Sequence, residues 1–180
     1  AARYSFGVSA IAADSGRAIL LAIADAGRTP DSIRCIDTRT LAPRWVAAAG
    51  QGLVWSVAEC GDHDGDGIAD FVVGEPLPEQ PLRQTPSARV LSGRDGSDLM
   101  HWTGPSDAFA AFTVANLGDL DGDGNDELAF GCPHRRDRQG LVRIVTPRTG
   151  TTLGEVLAPD GSPDFGSVIE RVGDLDGDGC

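Results

Sequence analysis

The sequence predicts an all-β chain made of repeated four-stranded antiparallel units, and three observations carry that prediction. The motif GDxDGDG occurs three times, opening at Gly61, Gly118 and Gly173, and its leading aspartates Asp62, Asp119 and Asp174 stand 57 and 55 residues apart. A fixed period of this size marks units stacked one on the next. Each of the first two motifs is followed by a short apolar run, a stop at proline, and then two more short strand-like runs. Finally, 24 glycines and 11 prolines among 180 residues favour short strands and many turns, while 41% hydrophobic residues exclude a disordered chain.

The units divide the chain at about 1–50, 51–107, 108–163 and 164–180. In the first, Phe6–Ile11 opens and Asp14-Ser15-Gly16-Arg17 stands in the place of the acidic loop, shortened and lacking its carboxylate series. Ile19–Ala24, Ser32–Ile36 and Arg44–Val46 complete it, and no metal is expected there. In the second, Val54–Ala58 leads into the acidic loop at 62–70. Phe71-Val72-Val73-Gly74 follows and is stopped at Glu75-Pro76. After a proline-rich loop at 77–86 come Ala88–Leu91 and Asp98–Trp102, parted by Asp95-Gly96. The third unit is the clearest. Phe112–Ala115 precedes the loop at 119–127, Leu128-Ala129-Phe130-Gly131 stops at Cys132-Pro133, and Gly140–Val145 and Thr152–Val156 flank the turn at Thr149-Gly150. The fourth begins at Phe165–Ile169 and ends inside its own loop at Cys180.

Four short antiparallel strands per period describe a β-propeller blade. One blade cannot bury both faces of its sheet, so it needs a neighbour on each side. Three blades and the first strand of a fourth make an incomplete ring. The expectation is a fragment of a longer protein or association with further blades from the same or another chain, with self-association or marginal folding if neither is present. A parallel β-helix would need shorter periods, and a β-sandwich would make the repeats accidental.

The acidic loops predict calcium. Closely spaced carboxylates repel unless a cation lies between them, and Ca²⁺ takes hard oxygen ligands. The expected ligands are Asp62, Asp64, Asp66, the Ile68 carbonyl and Asp70 in one loop, and Asp119, Asp121, Asp123, the Asn125 carbonyl and Glu127 in the next. Asp174, Asp176 and Asp178 begin a third set without a ninth position. Alternate side chains converge if the chain coils tightly, and Gly67 and Gly124 at position 6 permit the turn, as in an EF-hand loop. Position 12, where an EF-hand carries glutamate, is Val73 or Phe130 inside a strand, so position 9 closes the loop. His63 at position 2 is expected to face solvent.

The formal charge of −12 disfavours a nucleic-acid backbone as partner. Two bound Ca²⁺ ions would bring that charge to about −8. No apolar run is long enough to span a membrane. Cys35, Cys60, Cys132 and Cys180 have no metal-binding spacing. They read as buried thiols, or as holding one disulfide if the chain is exported. Weak calcium loops suit the millimolar calcium found outside cells, so the expected location is extracellular, cell-surface or periplasmic. Trp45, Trp55 and Trp102 read as packing between blades, and Arg135, Arg136 and Arg138 as a solvated loop or a site for an acidic partner.

Phe165-Gly166, the two complete acidic loops, and the strand ends Gly74-Glu75-Pro76 and Gly131-Cys132-Pro133 resemble FG-GAP repeats. Those are the blades of the integrin alpha-subunit propeller and of related secreted bacterial propellers. The resemblance implies a seven-bladed ring with calcium loops on the face away from the ligand-binding loops. Phe6-Gly7 keeps the opening dipeptide, whereas the second unit has Val54-Trp55 near it and the third has no clean Phe-Gly.

No HExxH, GxSxG or phosphate-binding glycine loop is present. The expected function is therefore a calcium-stabilised module for binding a protein or glycan, with no catalysis of its own. The alternatives are a calcium-dependent hydrolase or lyase built on a propeller, and a purely structural spacer.

Overall fold

The computed structural model describes residues 9–13, 17–23, 32–49, 54–75, 87–103, 111–133, 139–159 and 162–172. The expectations for Phe6-Gly7, the loops at 14–16 and 77–86, Arg135, Arg136, Arg138, Cys180 and the loop of Asp174, Asp176 and Asp178 lie outside these residues.

Twelve strands form three four-stranded sheets among the described residues. The first sheet is β1 (Ser9–Ala13), β2 (Ala18–Ile23), β3 (Ser32–Asp37) and β4 (Pro43–Ala48). The second is β5 (Ser56–Glu59), β6 (Phe71–Glu75), β7 (Ser87–Leu91) and β8 (Asp98–Thr103). The third is β9 (Thr113–Gly118), β10 (Glu127–Cys132), β11 (Leu141–Thr146) and β12 (Thr151–Leu157). Each sheet is an antiparallel meander in chain order. First strands adjoin in series, β1 against β5 and β5 against β9, so the sheets stack as consecutive propeller blades.

The second strand of a blade explains the stacking. Phe71-Val72-Val73-Gly74 and Leu128-Ala129-Phe130-Gly131 are continuous apolar runs, the pattern of a strand covered on both faces. Every residue of β6 and of β10 is buried. Alternate side chains of a strand point to opposite faces. Accordingly Phe71 and Val73 join Leu20, Ile33 and Trp45 of the first blade, while Val72 joins Val114, Leu128 and Phe130 of the third. Each fully buried large apolar side chain contributes about 1.5–3 kcal/mol, so the seams between blades are the hydrophobic core. The outermost strand β12 is almost wholly exposed.

Tryptophans close the seams. The Trp45 ring lies 6.1 Å from Phe71, and its Nε1–H donates to the Gly93 carbonyl at 3.0 Å. Trp55 lies 4.6 Å from Phe112, and Trp102 lies 4.7 Å from Phe130. Arg89, half-buried, bonds Asp98 and the buried Glu75 at 2.8 Å each and the Ala48 carbonyl at 2.9 Å, tying the second blade to the first.

The glycine that ends each second strand has a steric reason. A Cβ on Gly74 would lie 2.2 Å from the Ala111 carbonyl oxygen, and one on Gly131 would lie 1.9 Å from that of Gly166. The carbonyl belongs to the turn that opens the next blade. Gly166 has φ +87° and Ala111 has φ +58°, so Ala111 stands in place of the glycine of the Phe-Gly pair that is not evident in the third unit. Beyond this turn, residues 168–172 run on without a ladder partner among the described residues, and Val168 and Val172 are exposed. An extended segment becomes a strand only when a neighbour pairs with its N–H and C=O groups.

No disulfide joins Cys35, Cys60 and Cys132, and all three are buried thiols. Burial, with the charges of Asp70, Asp126 and Glu59 nearby, pushes the Cys60 thiol well above its ordinary pKa. The disulfide that export suggested does not form among the described residues.

Candidate metal centre

Both acidic loops link the first strand of a blade to its second, and their backbones coil in the same way. In the second blade Asp62 Oδ1 accepts the N–H groups of Gly65 at 2.8 Å and Asp66 at 3.0 Å, and Oδ2 accepts that of Gly67 at 2.8 Å. In the third, Asp119 Oδ1 accepts Gly122 at 2.7 Å and Asp123 at 3.1 Å, and Oδ2 accepts Gly124 at 3.0 Å. Asp64 and Asp121 each accept the N–H two residues on at 3.1 Å. Gly67 and Gly124, with φ +82° and +88°, supply the left-handed step that such a coil demands. The Gly67 N–H chiefly holds Asp62 below its usual pKa, and the Asn125 side chain does the same for Asp123.

Within each loop three carboxylates converge, with ligand atoms no more than 4.8 Å apart. They are Asp62, Asp64 and Asp66 in one loop, and Asp119, Asp121 and Glu127 in the other. The other expected side-chain ligands stand outside these groups. Asp123 bonds Asn125 through its backbone and side-chain N–H groups at 2.8 and 2.9 Å, and Asp70 is engaged by the backbone. Ile68 donates its N–H to Asp66 Oδ1 at 2.8 Å. His63, expected to face solvent, is half-buried, and its Nε2 is enclosed without a hydrogen-bond partner.

Position 9 is where the loops part. Asp70 is fully buried, and both its oxygens are engaged: Oδ2 accepts the His63 N–H at 2.7 Å and Oδ1 accepts the Gly93 N–H at 2.9 Å. Burial pushes its pKa up, against the pull of those two donors. Glu127 is also fully buried, and its Oε2 accepts the Leu120 N–H at 2.7 Å, but Oε1 has no partner. The difference lies in the turn between third and fourth strands. Ser92-Gly93-Arg94-Asp95-Gly96 matches Thr146-Pro147-Arg148-Thr149-Gly150, with Gly96 N bonded to Ser92 O and Gly150 N to Thr146 O, each at 2.9 Å. Pro147 occupies the place of Gly93 and has no N–H to offer.

A buried carboxylate oxygen without a donor is costly, more so beside two further carboxylates. A cation meets all three at once. Asp119, Asp121 and Glu127 thus fit a hard divalent ion, with Glu127 Oε1 the atom that most needs one.

Sequence reasoning missed Arg94, whose guanidinium reaches over the 62 loop. It ion-pairs with Asp66 Oδ2 and donates to the Asp66 carbonyl at 3.0 Å. Its signal was present, because Arg39, Arg94 and Arg148 recur at the spacing of the blades.

The chain aligns with Integrin alpha-4 of Xenopus laevis at 31% identity over 142 residues, which is 71% of this chain and 14% of that protein. It aligns with Integrin alpha-V of Gallus gallus at 33% identity over 138 residues, 71% of this chain and 13% of that protein. The chain therefore spans only about one-seventh of the length of these relatives. No protein-family model matches. Among solved structures, a Bacillus licheniformis rhamnogalacturonan lyase superposes with a TM-score of 0.53 over 87% of this chain and 35% of that one. At 14% sequence identity that likeness speaks for the fold alone. Three successive four-stranded blades with FG-GAP-like loops, and these relatives, make the chain an integrin-like β-propeller.

Proposed function

We propose that this chain is a calcium-stabilised propeller module, acting outside the cell in adhesion-type binding of a protein or glycan ligand, with no catalysis of its own. The observation that carries the calcium reading is the buried, undonated Oε1 of Glu127 beside Asp119 and Asp121. An ion there stabilises the fold by mass action, because it binds the folded loop and not the open chain. Asp123 and the Asn125 carbonyl are the remaining proposed ligands. The equivalent set of Asp62, Asp64, Asp66 and the Ile68 carbonyl forms a second site, with Asp70 beneath it held by the backbone rather than by the ion, and Asp174, Asp176 and Asp178 begin a third.

Binding of a macromolecule rests on the relatives, which are integrins. A rigid stack of blades suits it, since the loops at the blade ends are held by the seams rather than by the ligand. No helix among the described residues is long and apolar enough to cross a membrane.

Calorimetric titration with calcium tests the metal. Binding at millimolar calcium or tighter is expected, and D121A should lower the melting temperature in calcium while leaving it little changed in a chelator. Equal melting of D121A and parent in calcium would sink the assignment. Glycan and protein arrays probed with calcium and with chelator test the binding role.

A further inference from the structure

The two acidic loops have nearly the same carboxylates and the same coil, yet only one is neutralised from within. In the 62 loop, the turn at Gly93-Arg94 supplies both missing partners. The Gly93 N–H takes the second oxygen of Asp70, and the Arg94 guanidinium takes the side chain and carbonyl of Asp66. In the 119 loop, the matching turn is Pro147-Arg148. Proline has no N–H for Glu127, and Arg148 makes no ion pair among the described residues. Arg148 is exposed, and its charge acts on Asp123 only at a distance.

We infer that Arg94 is a tethered counter-ion that competes with metal for the 62 loop, so that the two loops form a graded pair in which the 119 loop fills first. This rests on the calcium reading above and adds a regulatory order to it. The physical basis is exclusion at one carboxylate. Asp66 belongs to the converging trio of its loop, and a guanidinium held on its Oδ2 places a positive charge where a cation would have to sit. An incoming ion must displace that ion pair and then share the loop with the displaced charge. Arg94 is more than half exposed, so water screens part of the competition and the effect is moderate. At low calcium the second blade is held by its own arginine, while the third depends on metal.

Calorimetric calcium titration of the full chain tests the inference, with the parent, R94Q, R94K and E127Q compared. In the parent, a tight site lost in E127Q and a second, weaker one are expected. R94Q should tighten the weak site by about tenfold, as expected from removing one charge-assisted contact, and leave the tight site unchanged. R94K keeps the charge and should keep the weak affinity. A parent with one site, joined by a second in R94Q, would support the inference equally. Two sites of equal affinity in the parent, or a weak site indifferent to R94Q, would overturn the inference and leave the calcium reading standing. No heat of binding in parent or R94Q, while both melt cooperatively, would overturn both.

Discussion

The loops at 62–70 and 119–127 coil alike, with the same N–H groups folded onto Asp62 and Asp119, yet they handle their charge in different ways. The first closes on itself through Gly93 and Arg94. The second leaves Glu127 Oε1 buried and undonated. The deciding residues are not in the loops at all but on a turn twenty or more residues further along the chain. A repeat can therefore keep its motif and still differ in how its carboxylates are satisfied, through one proline in place of one glycine.

The largest expected effect concerns what the two blades share. G131A puts a methyl carbon 1.9 Å from the Gly166 carbonyl, and G74A puts one 2.2 Å from that of Ala111. Each should cost about 3 kcal/mol of stability, as overpacking against backbone does. Denaturant melts of the two variants should agree with each other whether or not calcium is present. A calcium-dependent difference between them would break the view that the seams are equivalent.

Next comes the pair at position 9. E127Q should forfeit about 2.7 kcal/mol at calcium a hundredfold above the parent's Kd. In chelator it should be no less stable than the parent, because it removes repulsion among three carboxylates. D70N should instead lose about 1–3 kcal/mol, by the same amount in calcium and in chelator, since its oxygens serve the His63 and Gly93 N–H groups. Parallel thermal melts in both conditions separate the two outcomes. Matching behaviour would show that the loops do not differ as described.

A smaller effect sharpens the blade comparison at its opening turn. Ala111 adopts φ +58° where the next blade has Gly166 at +87°. A111G should relieve left-handed strain and raise stability by up to about 1 kcal/mol, the remainder being offset by glycine's unfolded-state freedom. A destabilised variant would mean that the buried methyl group of Ala111 matters more than its backbone.

The smallest effect belongs to the first blade. Its matching turn begins at Asp37, whose Oδ1 accepts the N–H groups of Thr40 at 2.9 Å and Arg39 at 3.0 Å and whose Oδ2 takes Arg44 at 3.1 Å. The Thr40 N–H and the Arg44 guanidinium hold its pKa at about 2, below the ordinary 3.8. A depressed carboxylate stabilises the fold above its unfolded pKa and loses that contribution as pH falls through the folded one. D37N should therefore flatten the stability profile between about pH 4 and pH 2 and change little at neutral pH. Acid titration followed by circular dichroism reads the slope.

Much of this was legible in the chain of residues. The period of the aspartate motif marks the blades, and the unbroken apolar runs of β6 and β10 mark strands covered on both faces. Those signals are local, depending on residues a few positions apart. The acidic loops were legible for the same reason, since their coil is made by N–H groups two to five residues from the carboxylates. The solvent-facing reading of His63 failed because alternation within a loop says nothing about what the fold brings around its ring. The opening turn at Ala111 was missed because alanine carries no signal for a left-handed φ.

By itself, then, the sequence determined the blade, its strand order, its turn chemistry and the carboxylates of each loop, all of them products of short-range spacing. Only the tertiary structure decided which of those carboxylates converge and which are already engaged. That outcome depends on contacts across sequence, Asp70 with Gly93 and Asp66 with Arg94, and on the missing N–H of Pro147 near Glu127. Hydrogen bonding is a matter of position in space, and a buried oxygen is satisfied or left wanting by whatever the fold brings beside it.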